Sequence, residues 1–146
     1  MTKTPKIKLL FLCTGNSCRS QMAEGWLKHL RGDDFEVFSA GIEAHGLNPL
    51  ALRAMREVGV DISAQRSQLL GDLAVEQLDY VLSVCGHADQ HCPDLPMGVR
   101  RVHLGFEDPP KLAAGAANDD EAMPHYRRVR DEIKQQLQDI DQLLFC

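Results

Sequence analysis

The chain has 146 residues, 44% hydrophobic and 25% charged, and carries a formal net charge of −5 at pH 7. That length reads as one domain, residues 1–146, with enough apolar material for a sizeable core. The acidic balance argues against a nucleic-acid or anionic-membrane surface, so an anionic ligand has to be gripped by local groups.

No stretch approaches transmembrane length. Lys3, Lys6 and Lys8 precede a short apolar run, but Leu9–Leu12 is too brief for a signal-peptide core and no small-residue cleavage site follows. The chain therefore reads as cytoplasmic, and a monomer is expected. Ile7 to Leu12 is a buried strand interrupted only by Lys8. From Gln21 to Leu30 the apolar residues Met22, Ala23, Trp26, Leu27 and Leu30 recur at helical spacing. Between them lies Cys13-Thr14-Gly15-Asn16-Ser17-Cys18-Arg19-Ser20, a tight turn where a strand meets a helix N-terminus. Such a junction converges backbone N–H groups on one point and makes an anion site. Gly15 lets the backbone curl closely around the anion, and Arg19 offers a planar fork to two of its oxygens. Cys13 sits at the mouth of this positive concavity, where its thiol pKa is expected to fall below about 8.5.

Phe35 to Ala40 reads as a second strand. Asn48 is placed to cap a helix starting at Pro49, and Gly59 to end it. Asp61 to Ser67 is polar and reads as irregular or as a short helical turn, and Leu69 to Leu78 reads as a third helix. Tyr80 to Val84 is a strand rich in β-branched and aromatic residues that ends at Cys85. Val99 to Leu104 is a weaker fourth strand, and Gly105 to Asn118 is a loop. Tyr126, Val129, Ile133, Leu137, Ile140 and Leu144 define one amphipathic closing helix. Asp119, Asp120 and Glu121 suit its N-terminal end, and Pro124 its first turn. Strand and helix alternate about four times, which predicts an α/β three-layer sandwich with a four-stranded parallel sheet. Functional groups then gather at the carboxyl ends of the strands, where Cys13 and Cys85 both fall.

Five cysteines (Cys13, Cys18, Cys85, Cys92 and Cys146) cannot all pair internally. In a reducing compartment they are more often catalytic, redox-active or metal-bound than structural. Cys85 and Cys92 bracket Gly86-His87-Ala88-Asp89-Gln90-His91. A straight helix would hold them about 10 Å apart along its axis, whereas a disulfide needs Cα atoms within roughly 7 Å. Either the pair never bonds or the segment unwinds. Cys85, His87, His91 and Cys92 also offer four zinc-type ligands, but clustering in one segment without a distant second pair disfavours a metal site. The two histidines read as solvated or as tuning nearby thiols.

Cys-x5-Arg-Ser after a strand resembles the phosphate loop of cysteine-dependent phosphatases. The longer string from Cys13 to Gly25 resembles the thioredoxin-coupled arsenate reductases, which share the fold of low-molecular-weight tyrosine phosphatases with its flavodoxin-like winding. The resemblance implies that Cys13 attacks arsenic within the loop formed by Thr14 to Ser20. Cys85 then attacks Cys13, and Cys92 moves the disulfide to Cys85–Cys92, where thioredoxin reduces it without a bound cofactor. It also implies that arsenate competes with phosphate- and sulfate-like oxyanions, and that Asp108 in His103–Pro109 is the general acid. Read from the residues alone, a turn-forming aspartate is the lesser alternative for Asp108. Asn16, Glu24 and Ser39 match potassium ligands of some relatives, but Gln68 replaces the expected aspartate, so no metal is assigned. Asn16 is instead assigned to bracing the loop, Ser17 and Ser20 to donating to the loop or to Cys13, and Cys18 to packing. Cys146 reads as a bystander thiol. The alternatives are a low-molecular-weight phosphatase, for which Cys85 and Cys92 are dispensable, and a redox- or arsenite-sensing module without turnover.

Overall fold

Leu9 to Cys13 are all buried, as are Tyr80 to Ser83, so both faces of these two strands are covered and neither shows the alternation of a half-exposed strand. This is the signature of a parallel sheet between helical layers. The computed structural model describes residues 5–145. Its strands are β1 (Ile7–Cys13), β2 (Phe35–Gly41), β3 (Tyr80–Ser83) and β4 (Arg100–His103), all parallel, in the order β2-β1-β3-β4. The helices are α1 (Arg19–Arg31), α2 (Pro49–Glu57), α3 (Gly86–His91), α4 (Pro109–Leu112), α5 (Asp119–Gln138) and α6 (Ile140–Phe145).

From β1 the chain steps outward on one side to β2 and then crosses to β3 on the other. The crevice this leaves at the carboxyl ends of β1 and β3 is a topological switch point. Leu12 is paired with Ser83 there, and Val84 N–H donates to Leu12 O at 2.9 Å. Cys13 and Cys85 therefore leave the sheet side by side.

Local signals hold at several boundaries. Asn48 caps α2 by accepting from Leu50 N and Ala51 N at 2.8 and 3.2 Å. Gly59 follows α2 at φ +80°, a backbone conformation that glycine adopts without strain. Asn118 caps α5 by accepting from Glu121 N at 3.0 Å.

Four expectations are corrected. Leu69 to Leu78 is not a helix but two 3-10 turns, Leu70–Asp72 and Val75–Gln77. Leu69 is held instead in a parallel bridge to Gly41, and Gly41 N donates to Gln68 O at 2.8 Å, so edge pairing wins over helical propensity. The loop Gly105 to Asn118 contains α4, started by Pro109 at its first position. The closing helix breaks at Asp139, and the separate α6 buries Ile140 and Leu144 while Asp141 meets Arg31 at 3.0 Å. Pro124 lies in the second turn of α5, because that helix begins at Asp119.

Helices α1, α2 and α5 pack on one another. Trp26 Nε1 donates to Arg130 O at 3.0 Å, and the largely buried Arg130 reaches Ala54 O and Glu57 at 3.0 Å each. Glu57 also takes a two-pronged bond from Arg127 at 2.9 and 2.8 Å. These bonds, Arg127's foremost, hold the Glu57 carboxyl down to about 2 from an ordinary 4.5. A depressed carboxyl stabilises the fold above its unfolded pKa, and that stability is lost as pH falls through the folded value. Glu57→Gln is expected to lower Tm by about 2–4 °C at pH 7. The deficit relative to wild type should shrink between pH 4.5 and 2, and differential scanning calorimetry across that range checks both statements.

Candidate active site

The loop between β1 and α1 is held open from beneath by side chains. Asn16 sits at φ +47°, in the left-handed region that asparagine tolerates better than most residues. Its Nδ2 donates to Ser20 Oγ at 2.9 Å, its Oδ1 accepts from Gln68 N at 2.7 Å, and its carbonyl accepts from Gln21 Nε2 at 3.0 Å. The turn therefore takes its positive φ at Asn16. At Gly15 a side chain would collide with His45, whose Nδ1 lies 2.3 Å from an added Cβ. Gly15 is thus constrained by His45 as well as by the ligand side, and His45 lines the same cavity.

Gly41 has the tighter constraint. A Cβ there would meet Glu43 O at 2.1 Å and Thr14 O and Asn16 N at 2.8 Å. This residue carries no sequence motif, yet it lets the end of β2 press directly on the loop.

A cavity of about 330 Å³ opens above the loop, lined by Cys13, Thr14, Gly15, Ser17, Cys18, Arg19, His45, Asn48, Asp108 and Pro110. Arg19 Nη1 donates to Phe106 O at 3.1 Å, and its Nε lies 3.6 Å from Asp108 Oδ1. Nε is buried and has no hydrogen-bond partner among the described residues. A buried guanidinium N–H without an acceptor is costly, and beside a nest of loop amides it is matched by an oxyanion. Asp108 occupies the N-cap position of α4 without capping it, so its carboxylate faces Arg19 instead.

The structure brings Cys13 and Cys85 together. Cys13 is pushed well above the ordinary thiol range by its hydrogen bond to Cys85 and by burial, against the pull of Arg19. Cys85 is drawn down to about 4 by the Cys13 bond, with help from Thr14 and the Ala88 amide. Cys13 does not titrate as the lone thiol that the loop by itself suggests: beside Cys85 the two sulfurs share one proton and ionise as a pair. Ser20 engages Asn16 and not the Cys13 sulfur. Cys18 is buried with the core cluster while also lining the cavity, and burial pushes its thiol up.

Cys85 also caps α3, accepting from Ala88 N at 3.3 Å. Cys92 is at the other end of α3, partly exposed, with the helix intact between the two cysteines. Cys13, Cys18, Cys85 and Cys92 are all free thiols, and Cys146 lies outside the described residues.

At the potassium-type positions, Ser39 Oγ donates to Glu24 Oε1 and Lys28 Nζ to Glu24 Oε2, each at 2.5 Å. Gln68 Nε2 donates to Ser39 O at 2.9 Å. Gln68 thus brings a donor where a cation needs an acceptor, and Lys28 supplies the positive charge.

Residues 8–144 match the family described as low molecular weight phosphotyrosine protein phosphatase. The chain belongs to this family. It is 53% identical over 125 residues to an arsenate reductase of Halalkalibacterium halodurans, covering 86% of this chain and 88% of that one. A solved arsenate reductase in the phosphate-binding state superposes with a TM-score of 0.73 at 31% identity, covering 94% of this chain and 98% of the other. A thioredoxin-dependent arsenate reductase of Corynebacterium glutamicum superposes with a TM-score of 0.63 at 30% identity, covering 94% of this chain and 64% of its own. Members of this family thus share the four-stranded parallel α/β architecture with the chain.

Sequence reasoning named every cysteine, Arg19 and Asp108, but missed His45 and Gly41. Neither belongs to the loop motif, and only the tertiary contact of the segment after β2 with the loop brings them in. Gly41→Ala is expected to destabilise by about 2–3 kcal/mol because fixed backbone atoms block the new methyl. Gly15→Ala should cost less than half as much, because the His45 ring can swing away. Urea denaturation of both variants checks the order.

Proposed function

We propose that this protein reduces arsenate to arsenite through a three-thiol relay of Cys13, Cys85 and Cys92, with thioredoxin restoring the thiols. The observation that carries the reading is a second thiol, Cys85, hydrogen-bonded to the Cys13 that lines the oxyanion cavity, with a third at the far end of a six-residue helix. A phosphate-ester hydrolase needs one nucleophile there. A reductase needs two electrons, and a thiol pair becoming a disulfide delivers them. The half-identical arsenate reductase supports this reading.

Arsenate binds in the loop, with Arg19 and the loop amides facing its oxygens. Cys13 gives its proton to the neighbouring Cys85 sulfur and attacks arsenic as a thiolate. An arsenate oxygen leaves as water, protonated from the Asp108 side of the cavity. Cys85 then attacks the Cys13 sulfur, and the S–As electron pair stays with arsenic, which departs as arsenite. Cys92 attacks Cys85, freeing Cys13 and leaving a Cys85–Cys92 disulfide. A dithiol of the thioredoxin type takes up that disulfide by exchange.

The phosphatase reading draws on the family match but lacks support at the cavity wall. No Phe, Tyr or Trp is among the residues lining it, so nothing there stacks on a phosphotyrosine ring.

Cys92→Ser is expected to release one equivalent of arsenite and then stop. Mass spectrometry should find Cys13 bridged to Cys85 in the arrested protein, whereas wild type turns over with thioredoxin, its reductase and NADPH. Sustained turnover by Cys92→Ser at the wild-type rate would end the relay.

Gly86 has a negative φ, and nothing lies within 4 Å of an added Cβ, so the folded helix does not require glycine there. Its use is to ease unwinding. Gly86→Ala stabilises the helical form by about 1 kcal/mol. It should therefore slow Cys85–Cys92 formation about fivefold in quenched-flow alkylation, while leaving the first arsenite release unchanged.

A further inference from the structure

Thr14 Oγ1 lies 3.3 Å from Cys85 Sγ and 3.0 Å from His87 Nδ1. One hydroxyl carries one hydrogen, so these contacts form a directed chain: Thr14 donates to one neighbour and accepts from the other. The chain runs from a buried sulfur to an exposed ring. His91 stacks on that ring with centroids 4.2 Å apart, and its Nδ1–H donates to His87 O at 2.8 Å. These contacts brace His87 with its Nδ1 turned to Thr14.

The relay creates a need for such a path. Cys13 and Cys85 share one proton at rest, and the attack of Cys13 on arsenic leaves that proton on Cys85. Cys85 must then lose it before attacking Cys13, yet it is only 4% exposed.

We propose that His87, acting through Thr14, is the positioning residue that accepts the Cys85 proton and so prepares Cys85 for the second thiol attack. This inference rests on the reductase reading for its purpose but not for its test. As the Cys85 S–H proton passes to Thr14 Oγ1, the Thr14 hydroxyl proton passes to His87 Nδ1. Thr14 is left unchanged, its hydroxyl now donating to the thiolate, and His87 becomes an imidazolium in contact with solvent. Cys85 uses its freed electron pair on the Cys13 sulfur, and the S–As pair leaves with arsenic.

A ring nitrogen with a free lone pair can take up a proton, and an exposed ring can hand it on to solvent. Other groups around the chain are Cys13 and Arg19 from the phosphate loop and His91 from the same helix. Glu76 lines the adjacent groove with His91. Arg19 also favours the Cys85 thiolate, but it is fixed in charge and cannot carry a proton away.

The test uses the full-length Cys13→Ser protein, in which Cys85 has no second thiol to share with. Iodoacetamide labelling of Cys85 is followed by mass spectrometry from pH 5 to 9.5, with and without His87→Gln. His87→Gln should raise the apparent Cys85 pKa by about one unit, which slows labelling about tenfold near pH 7. The two profiles should converge above pH 9. Thr14→Val should reproduce the shift, and Thr14→Ser, which keeps the hydroxyl, should not. Superimposable profiles, or the same slowing at every pH, would overturn the proposal. Single-turnover arsenite release by Cys92→Ser, with and without His87→Gln, separates the two readings. If that parent releases no arsenite, the reductase reading fails while the labelling result still decides the role of His87.

Discussion

The pairing of Leu12 with Ser83 on adjacent parallel strands is the constraint from which the site follows. It fixes the carboxyl ends of β1 and β3 at one level, so the residues that leave them, Cys13 and Cys85, meet. A slip of one position would carry a buried side chain to the opposite face of a sheet covered on both sides. The burial of Leu9–Leu12 and of Tyr80–Ser83 therefore sets not only the core but also the spacing of two sulfurs. Chemistry at this site is a by-product of register.

That closeness shapes the electrostatics. Two thiols in contact in a poorly solvated corner cannot both ionise, so the pair keeps one proton and one charge. Arg19 favours the charge on either sulfur, while Asp108 faces Arg19 from the cavity rim. A chain of net charge −5 thus presents a small positive concavity whose donors come from one loop and one guanidinium. Capture of an anion depends on these local donors, because the overall field opposes it.

Much of this was readable from the residues. Strand β1, the loop and α1 announce themselves because an apolar run, a glycine-containing turn and a helical repeat follow in direct succession. Contacts between distant segments were not readable. Gly41 looks like any strand-end glycine until the loop is packed against it. Leu69–Leu78 carries apolar residues at spacings that suit a helix, but Gly71 breaks the segment and Leu69 is captured by the sheet edge. The apolar repeat of the closing helix runs unbroken through Asp139, although the backbone leaves the helix there. The loop alone suggests a lone activated Cys13 thiol, whereas Cys85 beside it makes the titration a property of the pair. Periodicity sees one element at a time, and each miss is a contact between two.

Helix α3 has to satisfy opposed demands under the proposed relay. Intact, it gives the Ala88 amide to Cys85 and holds His87 against Thr14. Unwound, it lets Cys92 reach Cys85. Six residues are far too few for a helix to persist by its own propensity, so its stability is lent by tertiary contacts. Ala88 is buried, and Ser83 Oγ donates to Asp89 Oδ1 at 2.8 Å while also contacting His103 Nδ1 at 2.8 Å. With the serine hydrogen committed to Asp89, the His103 contact requires Nδ1–H to donate to the serine oxygen. One buried methyl, one hydroxyl bond and two loose contacts of Asp89, 3.9 Å from Arg101 and from His103, therefore tie the helix to the ends of β3 and β4. An anchor this small holds the helix in the reduced protein and is readily given up when a disulfide forms in its place. A longer, better-packed helix would position Cys85 as well but would keep Cys92 about 10 Å away.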